Sequence, residues 1–173
     1  MFFHQAVPPA RRVSLVNPRF ADLPFPYEDA DFTRFENRYL YYESSRGCPY
    51  RCSYCLSSID KRVRLRDITA VKRELQFFLD NKVTQVKFVD RTFNCNHEHT
   101  MEIWNYIREH DNGITNFHFE MAAEIMREEE LEQLALMRPG LVQLEIGVQS
   151  ANPETLREIN RFTDMQRLRE IVE

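Results

Sequence analysis

The strongest constraint on the fold is that its strand-like segments carry apolar and polar side chains in strict alternation. In residues 141–149, Val142, Leu144, Ile146 and Val148 fall on one side, and Gln143, Glu145, Gly147 and Gln149 on the other. Residues 115–121 repeat this, with Phe117, Phe119 and Met121 against Asn116, His118 and Glu120, and Val86 and Phe88 oppose Gln85 and Lys87 in residues 83–89. A parallel sheet covered on both faces reads as nearly continuous apolar runs. One polar face therefore predicts a curved sheet with helices outside it and a wet cavity inside.

Helical segments separate the strands. Asp67 is a candidate N-cap for a helix that carries Ile68, Val71, Leu75, Phe78 and Leu79 on one face and stops near Asn81. Residues 97–110 and 128–137 read as further helices, closed by Asn112-Gly113 and Pro139-Gly140, and Asn152-Pro153 opens another. The aromatic run at 39–43 is the first strand. Strands alternating with helices imply right-handed crossovers. The expected fold is α/β, an incomplete (βα) barrel of the TIM-like kind with about four parallel strands, and its chemistry belongs at the strands' carboxyl ends. Residues 38–173 are assigned to this partial barrel. Residues 1–37, with five prolines, are assigned to a linker or N-terminal extension that Leu23, Phe25 and Tyr27 could pin to the body.

Directly after the first strand, Cys48, Cys52 and Cys55 form a C-x3-C-x2-C run. Three thiols are one short of a closed zinc or ferredoxin site, so the spacing points to a metal centre with a coordination position open for chemistry. The 173 residues contain four cysteines, three of them too close in sequence to pair comfortably, which favours reduced thiols and a cytoplasmic setting. A net charge of -4 gives no bulk field for nucleic acid, and no apolar run approaches the ~20 residues that span a bilayer. Neither nucleic acid nor membrane is an expected partner.

Arg46-Gly47-Cys48 with the two further cysteines, and Tyr54 just before the third, resembles the cluster motif of radical S-adenosylmethionine enzymes. The resemblance covers residues 38–173 and implies a four-iron, four-sulfur cluster on Cys48, Cys52 and Cys55. The open iron of such a cluster binds S-adenosylmethionine, which one-electron reduction cleaves to methionine and a 5'-deoxyadenosyl radical; the protein positions the cofactors. It further implies that Tyr54 lies near the adenine, that Glu120 and Gln149 contact the cofactor, and that Arg161 meets its carboxylate. Where the family has a glycine-rich segment for the amino group, this chain has residues 89–93, and Asp90 with nearby backbone carbonyls is assigned that role. Residues 23–27, 41–48 and 88–93 resemble the subgroup in which a cobalamin-binding domain precedes the barrel. Cobalamin would then enter through a domain absent from this chain, which carries no Asp-x-His-x-x-Gly motif. The expectation is a fragment of a longer enzyme that acts on a small molecule with an external one-electron reductant. Its outer strands would invite dimerisation through sheet edges.

Plainer readings compete. The loop could be a zinc knob completed by Cys95, His97 or His99, and the chain a non-catalytic zinc- or cluster-binding interaction module on the same fold. Cys95 could be a small half-buried side chain. Glu120 and Glu145 could be structural carboxylates paired with Lys87 or Arg161. His118 could be a hydrogen-bonded barrel histidine and Glu124 a solvated turn residue. The acidic run 128–130 fits a helix N-terminus, and Trp104 a core stripe with Met101 and Ile107.

Overall fold

The computed structural model describes residues 19–28, 35 and 38–172. Most of the proline-rich segment assigned to a linker lies outside the described residues. Strands β1 (Leu40–Tyr42), β4 (Gln85–Phe88), β5 (Asn116–Met121) and β6 (Val142–Ile146) form one parallel sheet in the order β1-β4-β5-β6. Helices α1 (Ile68–Asp80), α2 (His97–Glu109) and α3 (Glu128–Ala135) make the crossovers, and α4 (Pro153–Glu158) and α5 (Met165–Val172) follow β6. This is the expected α/β, TIM-like partial barrel. Two short strands were not expected: β2 (Ser45–Arg46) pairs antiparallel with β3 (Arg64–Leu65) and closes the base of the cysteine loop. Two residues per strand are too few to leave a periodic signal in the sequence.

The helix boundaries follow from capping. Asp67 accepts from the Ala70 amide at 3.0 Å, Asn96 from that of His99 at 2.9 Å and Asn152 from that of Glu154 at 2.8 Å. Val71, Leu75 and Phe78 of α1 and Ile103, Trp104 and Ile107 of α2 pack with Val86, Phe88, Phe117 and Phe119 of the sheet. Phe119 stacks at 4.5 Å from Phe88 and 4.2 Å from Phe93 between ring centroids, contacts that add about 0.5–1.5 kcal/mol each to simple burial. The opposite face is polar, as its alternation requires. Gln85 bridges Asn116 and Gln143 at 3.0 and 3.3 Å, and Lys87 meets Glu145 at 3.1 Å. Among the described residues no helix is long and apolar enough to cross a membrane.

The fourth strand is shorter than its alternation suggests. It ends at Ile146, because Gly147's carbonyl accepts from Arg161 Nη2 at 2.7 Å and Gln149 turns to φ 65°.

The N-terminal segment is pinned as its aromatic residues suggested. Phe25 and Tyr27 pack edge-on against Phe78, and the Leu23 carbonyl accepts from Arg66. Arg66 also forks onto Glu74, buried with it, and Glu74 accepts from Tyr42 at 2.7 Å. The Tyr27 hydroxyl donates to the Tyr41 carbonyl at 2.9 Å and accepts from its amide at 3.1 Å. One phenol thus occupies the outward backbone groups of the edge strand. Tyr27 covers the β1 edge, one of the two edges through which strand pairing between chains is expected. Tyr27→Phe should lower stability by about 1–2 kcal/mol, the net value of two hydrogen bonds, and increase self-association in sedimentation velocity. Unchanged values for both would show that the plug is dispensable.

Candidate metal centre and cofactor site

Gly47 makes the cysteine loop possible. Its φ is 102°, and a Cβ there would lie 2.1 Å from the Arg62 carbonyl oxygen, so any side chain would strike backbone. The loop folds back over that contact. The Cys48 amide then donates to the Asp60 carbonyl at 3.3 Å, and the Cys55 amide to that of Cys52 at 3.1 Å. From the other side, the Ser53 amide donates to the Ile159 carbonyl at 2.9 Å and Asn160 Nδ2 to that of Arg51 at 2.8 Å. Asn160 itself adopts φ 53°, so the turn that leaves α4 is shaped to hold the loop.

All four cysteines are free thiols; Cys48 and Cys52 are buried and Cys55 half-buried. Cys48 Sγ lies 3.4 Å from Thr92 Oγ1, and Cys52 Sγ 4.0 Å from Arg161 Nη1. The Ser57 amide lowers the pKa of Cys55, helped by the Ser57 hydroxyl and the Arg91 charge against the opposing effect of burial. Burial, with Asp90 and Cys48 nearby, instead pushes Cys95 up to about 11 and keeps it a neutral thiol. Among the described residues no three His, Cys, Asp or Glu side chains gather as a single metal ion would require. His97, offered as a fourth zinc ligand, is held 3.0 Å from Glu130, and burial lowers the pKa of His99. Three free thiols on one loop are one short of a closed zinc site and suit a cluster that bonds each sulfur to a different iron. The donor set therefore fits the four-iron group better than zinc.

Around the loop the structure brings together Tyr54, Arg161 and a residue unremarked in the sequence, Tyr50. Burial pushes Tyr50 up to about 12, with Glu124, Cys48 and Cys52 adding to the rise and Arg161 opposing it. Burial also raises the pKa of Tyr54, whose neighbours are Cys52 and Arg161. Glu120 lies near the end of β5 on the polar face, 3.7 Å from Lys87, while Glu145 meets both Lys87 and His118 at 3.1 Å. Glu145 and His118 thus take the paired structural roles available to them. Glu124 departs from the solvated turn residue expected: its Oε1 is buried, without a hydrogen-bond partner among the described residues. Glu130 of the acidic run is buried as well and accepts from the Arg127 amide at 3.1 Å.

Two assigned residues face elsewhere. Gln149 folds back so that its Nε2 would be 2.6 Å from a Cβ on Gly147. Asp90 is fully buried, with Oδ2 accepting from the Ser44 amide at 3.0 Å and Oδ1 from the Ser44 hydroxyl at 2.7 Å. Its carboxylate ties the end of β1 to the segment after β4. Beside it, Asn94 locks that segment to β5, donating to the Ala122 carbonyl at 2.8 Å and accepting from its amide at 3.0 Å. Serine and asparagine singletons carry no pattern by which the sequence could have marked them.

The chain is thus an α/β partial barrel with a three-thiol loop at the carboxyl end of its first strand. Residues 42–173 match the Radical SAM superfamily, and the chain belongs to it, and so to a class of enzymes. It is 26% identical over 121 residues to the uncharacterized methyltransferase PH0819 of Pyrococcus horikoshii, covering 68% of this chain and 26% of that protein. Its fold resembles the radical S-adenosylmethionine methyltransferase TsrM of Kitasatospora setae, solved with cobalamin and a [4Fe-4S] cluster. The TM-score is 0.66 at 18% identity, over 78% of this chain and 28% of TsrM. A second TsrM structure, with tryptophan substrate and aza-SAM, gives 0.65 over 78% and 27% of the two chains. The chain thus spans about a quarter of the length of these relatives.

Two predictions follow from the loop and its support. Gly47→Ala should displace the loop and remove most of the iron taken up on reconstitution, measured colorimetrically; full iron content would mean that the Arg62 backbone yields. Burial raises the Asp90 pKa from 3.8 to about 6, against the nearby Ser45 hydroxyl and the Ser44 hydrogen bonds that lower it. The folded protein then holds a proton that the unfolded chain has released between about pH 4 and 6. The stabilising contribution is complete below pH 4 and lost as pH rises through 6. In urea titrations, wild type should exceed Asp90→Asn by more at pH 4.5 than at pH 8, by about 2 kcal/mol. An equal difference at both pH values would place the Asp90 pKa at its ordinary value.

Proposed function

We propose that this chain is the catalytic core of a cytoplasmic radical S-adenosylmethionine enzyme that acts on a small molecule, with methyl transfer as the reaction class. The observation that carries the reading is the Gly47-anchored loop with three free thiols, set at the carboxyl end of a parallel sheet whose inner face is polar. Cys48, Cys52 and Cys55 would hold the four-iron cluster. When bound, cluster and S-adenosylmethionine supply an electron and a sulfonium whose reductive cleavage gives methionine and a 5'-deoxyadenosyl radical.

The chain's own residues bind, orient and exclude water. Arg161 spans Gly147 and Cys52 and offers its remaining donors to the cofactor carboxylate. Tyr54 offers an exposed ring for the adenine, and Glu120, Lys87 beside it, a carboxylate for the ammonium or sulfonium. Gln149 reaches the ribose once its amide swings away from Gly147, and Asp90 acts by fixing the loop through Ser44. Methyl transfer is favoured over cyclisation or methylthiolation because both named relatives are methyltransferases. Cobalamin use by the complete enzyme rests on the likeness to TsrM, solved with that cofactor.

The test is electron paramagnetic resonance of protein reconstituted anaerobically with iron and sulfide, then reduced with dithionite. A reduced-cluster signal should appear, change when S-adenosylmethionine is added, and vanish in Cys52→Ala. One tightly held zinc with no cluster signal would establish the metal-module alternative instead.

A further inference from the structure

We propose that Thr92 raises the reduction potential of the cluster held by the cysteine loop, through the contact of its hydroxyl with Cys48 Sγ. The proposal rests on the functional reading above and adds to it a residue that tunes the bound group without ligating it. Thr92 Oγ1 lies 3.4 Å from Cys48 Sγ and donates to the Arg91 carbonyl at 2.8 Å. Thr92 is 5% exposed and Cys48 8%. The contact is therefore interior and does not depend on what a longer chain places outside the barrel.

The segment that carries Thr92 is braced on both sides. Two residues earlier, Asp90 accepts from the Ser44 amide and hydroxyl, and two residues later Asn94 is clamped to both backbone groups of Ala122. All three side chains are buried, so the Thr92 oxygen is held at one place beside the first cysteine. Each cysteine of the motif meets a different donor: Cys48 the Thr92 hydroxyl, Cys52 the Arg161 guanidinium at 4.0 Å, and Cys55 the Ser57 amide. Of these, Thr92 alone is a neutral side chain, whose donor can be removed without altering charge or backbone.

A hydroxyl has one proton to give. Beside a free thiol that proton goes to the Arg91 carbonyl, and the Cys48 S–H is able to donate to Oγ1. A sulfur bonded to iron has no proton and only accepts, so in the loaded loop the hydroxyl turns from Arg91 to Sγ. One hydrogen bond replaces another, which leaves iron uptake nearly even. Reduction is a different matter. One electron from an external donor, which is oxidised, enters the cluster; no bond forms or breaks, and the sulfurs become more negative. A hydrogen bond strengthens with the charge on its acceptor, so this one favours the reduced form.

The test is a dithionite titration of the anaerobically reconstituted chain against low-potential mediators, with the reduced cluster read by electron paramagnetic resonance. Thr92→Val removes the hydroxyl and keeps the shape. It should take up as much iron as wild type and disfavour reduction about tenfold, a midpoint about 59 mV more negative. Thr92→Ser, which keeps the hydroxyl and lacks the methyl, should retain the wild-type midpoint. Equal midpoints for Thr92→Val and wild type, or a Thr92→Ser midpoint as low as that of Thr92→Val, would overturn the proposal. Iron held by Thr92→Ser but by neither Thr92→Val nor Thr92→Ala would do so too, because the hydroxyl would then be structural. Iron uptake by wild type is read separately: an empty wild type refutes the functional reading and this proposal with it, whereas loaded proteins that share one midpoint refute only the role of Thr92.

Discussion

A loop that presents three thiols cannot fix its own geometry, since it has little apolar surface to bury and its sulfurs must stay available. The loop here is shaped from outside, and the governing contact is the approach of Gly47 to the Arg62 carbonyl, closer than any side chain allows. Because Gly47 and Arg62 precede and follow the cysteines, that contact closes the loop at its base, where β2 and β3 add two paired residues each. Its far side is held by the turn after α4, more than a hundred residues away in sequence. The loop is therefore as rigid as the packing between the first and the last βα units.

That packing depends on the sheet's division into two faces. The apolar face meets α1 and α2 in an aromatic-rich core, as in any βα unit. The polar face gathers Lys87, His118, Glu120 and Glu145, and charges on a concave surface are costly unless paired. Lys87 lies within reach of both carboxylates, which face each other in the register of β5 and β6. It offsets a repulsion that would otherwise splay the two strands where Glu120 is placed.

What the sequence disclosed and what it concealed divide along a physical line. Strand faces repeat every second residue and helix faces every third or fourth, so Val142 through Ile146 and Val71 through Leu79 were readable, as were the caps at Asp67 and Asn152. The cysteine motif was readable because its spacing is local. The Tyr27 plug on Tyr41 joins residues 14 apart, and the Asn94 clamp on Ala122 residues 28 apart. Each uses a single polar side chain with no repeat to announce it. Asp90 shows the same limit from another side: its position beside the site was legible, while the direction of its carboxylate depended on Ser44, 46 positions earlier.

Arg161 shows why the last strand stops short. A sixth and seventh residue of regular strand after Ile146 would turn the Gly147 carbonyl along the sheet, where the guanidinium could not reach it and Cys52 together. Ending the strand at Ile146, with Gln149 at positive φ, frees that carbonyl for Nη2 while Nη1 stays beside the thiol. A lysine could satisfy one of these partners but not both, because only the planar fork presents donors in two fixed directions. Among the described residues the buried Nε of Arg161 has no hydrogen-bond partner, and neither has the buried Oε1 of nearby Glu124. Orphaned buried polar atoms are rare in folded proteins. These two stand near the cysteine loop, and under the proposed function they are groups that the bound cofactor would satisfy.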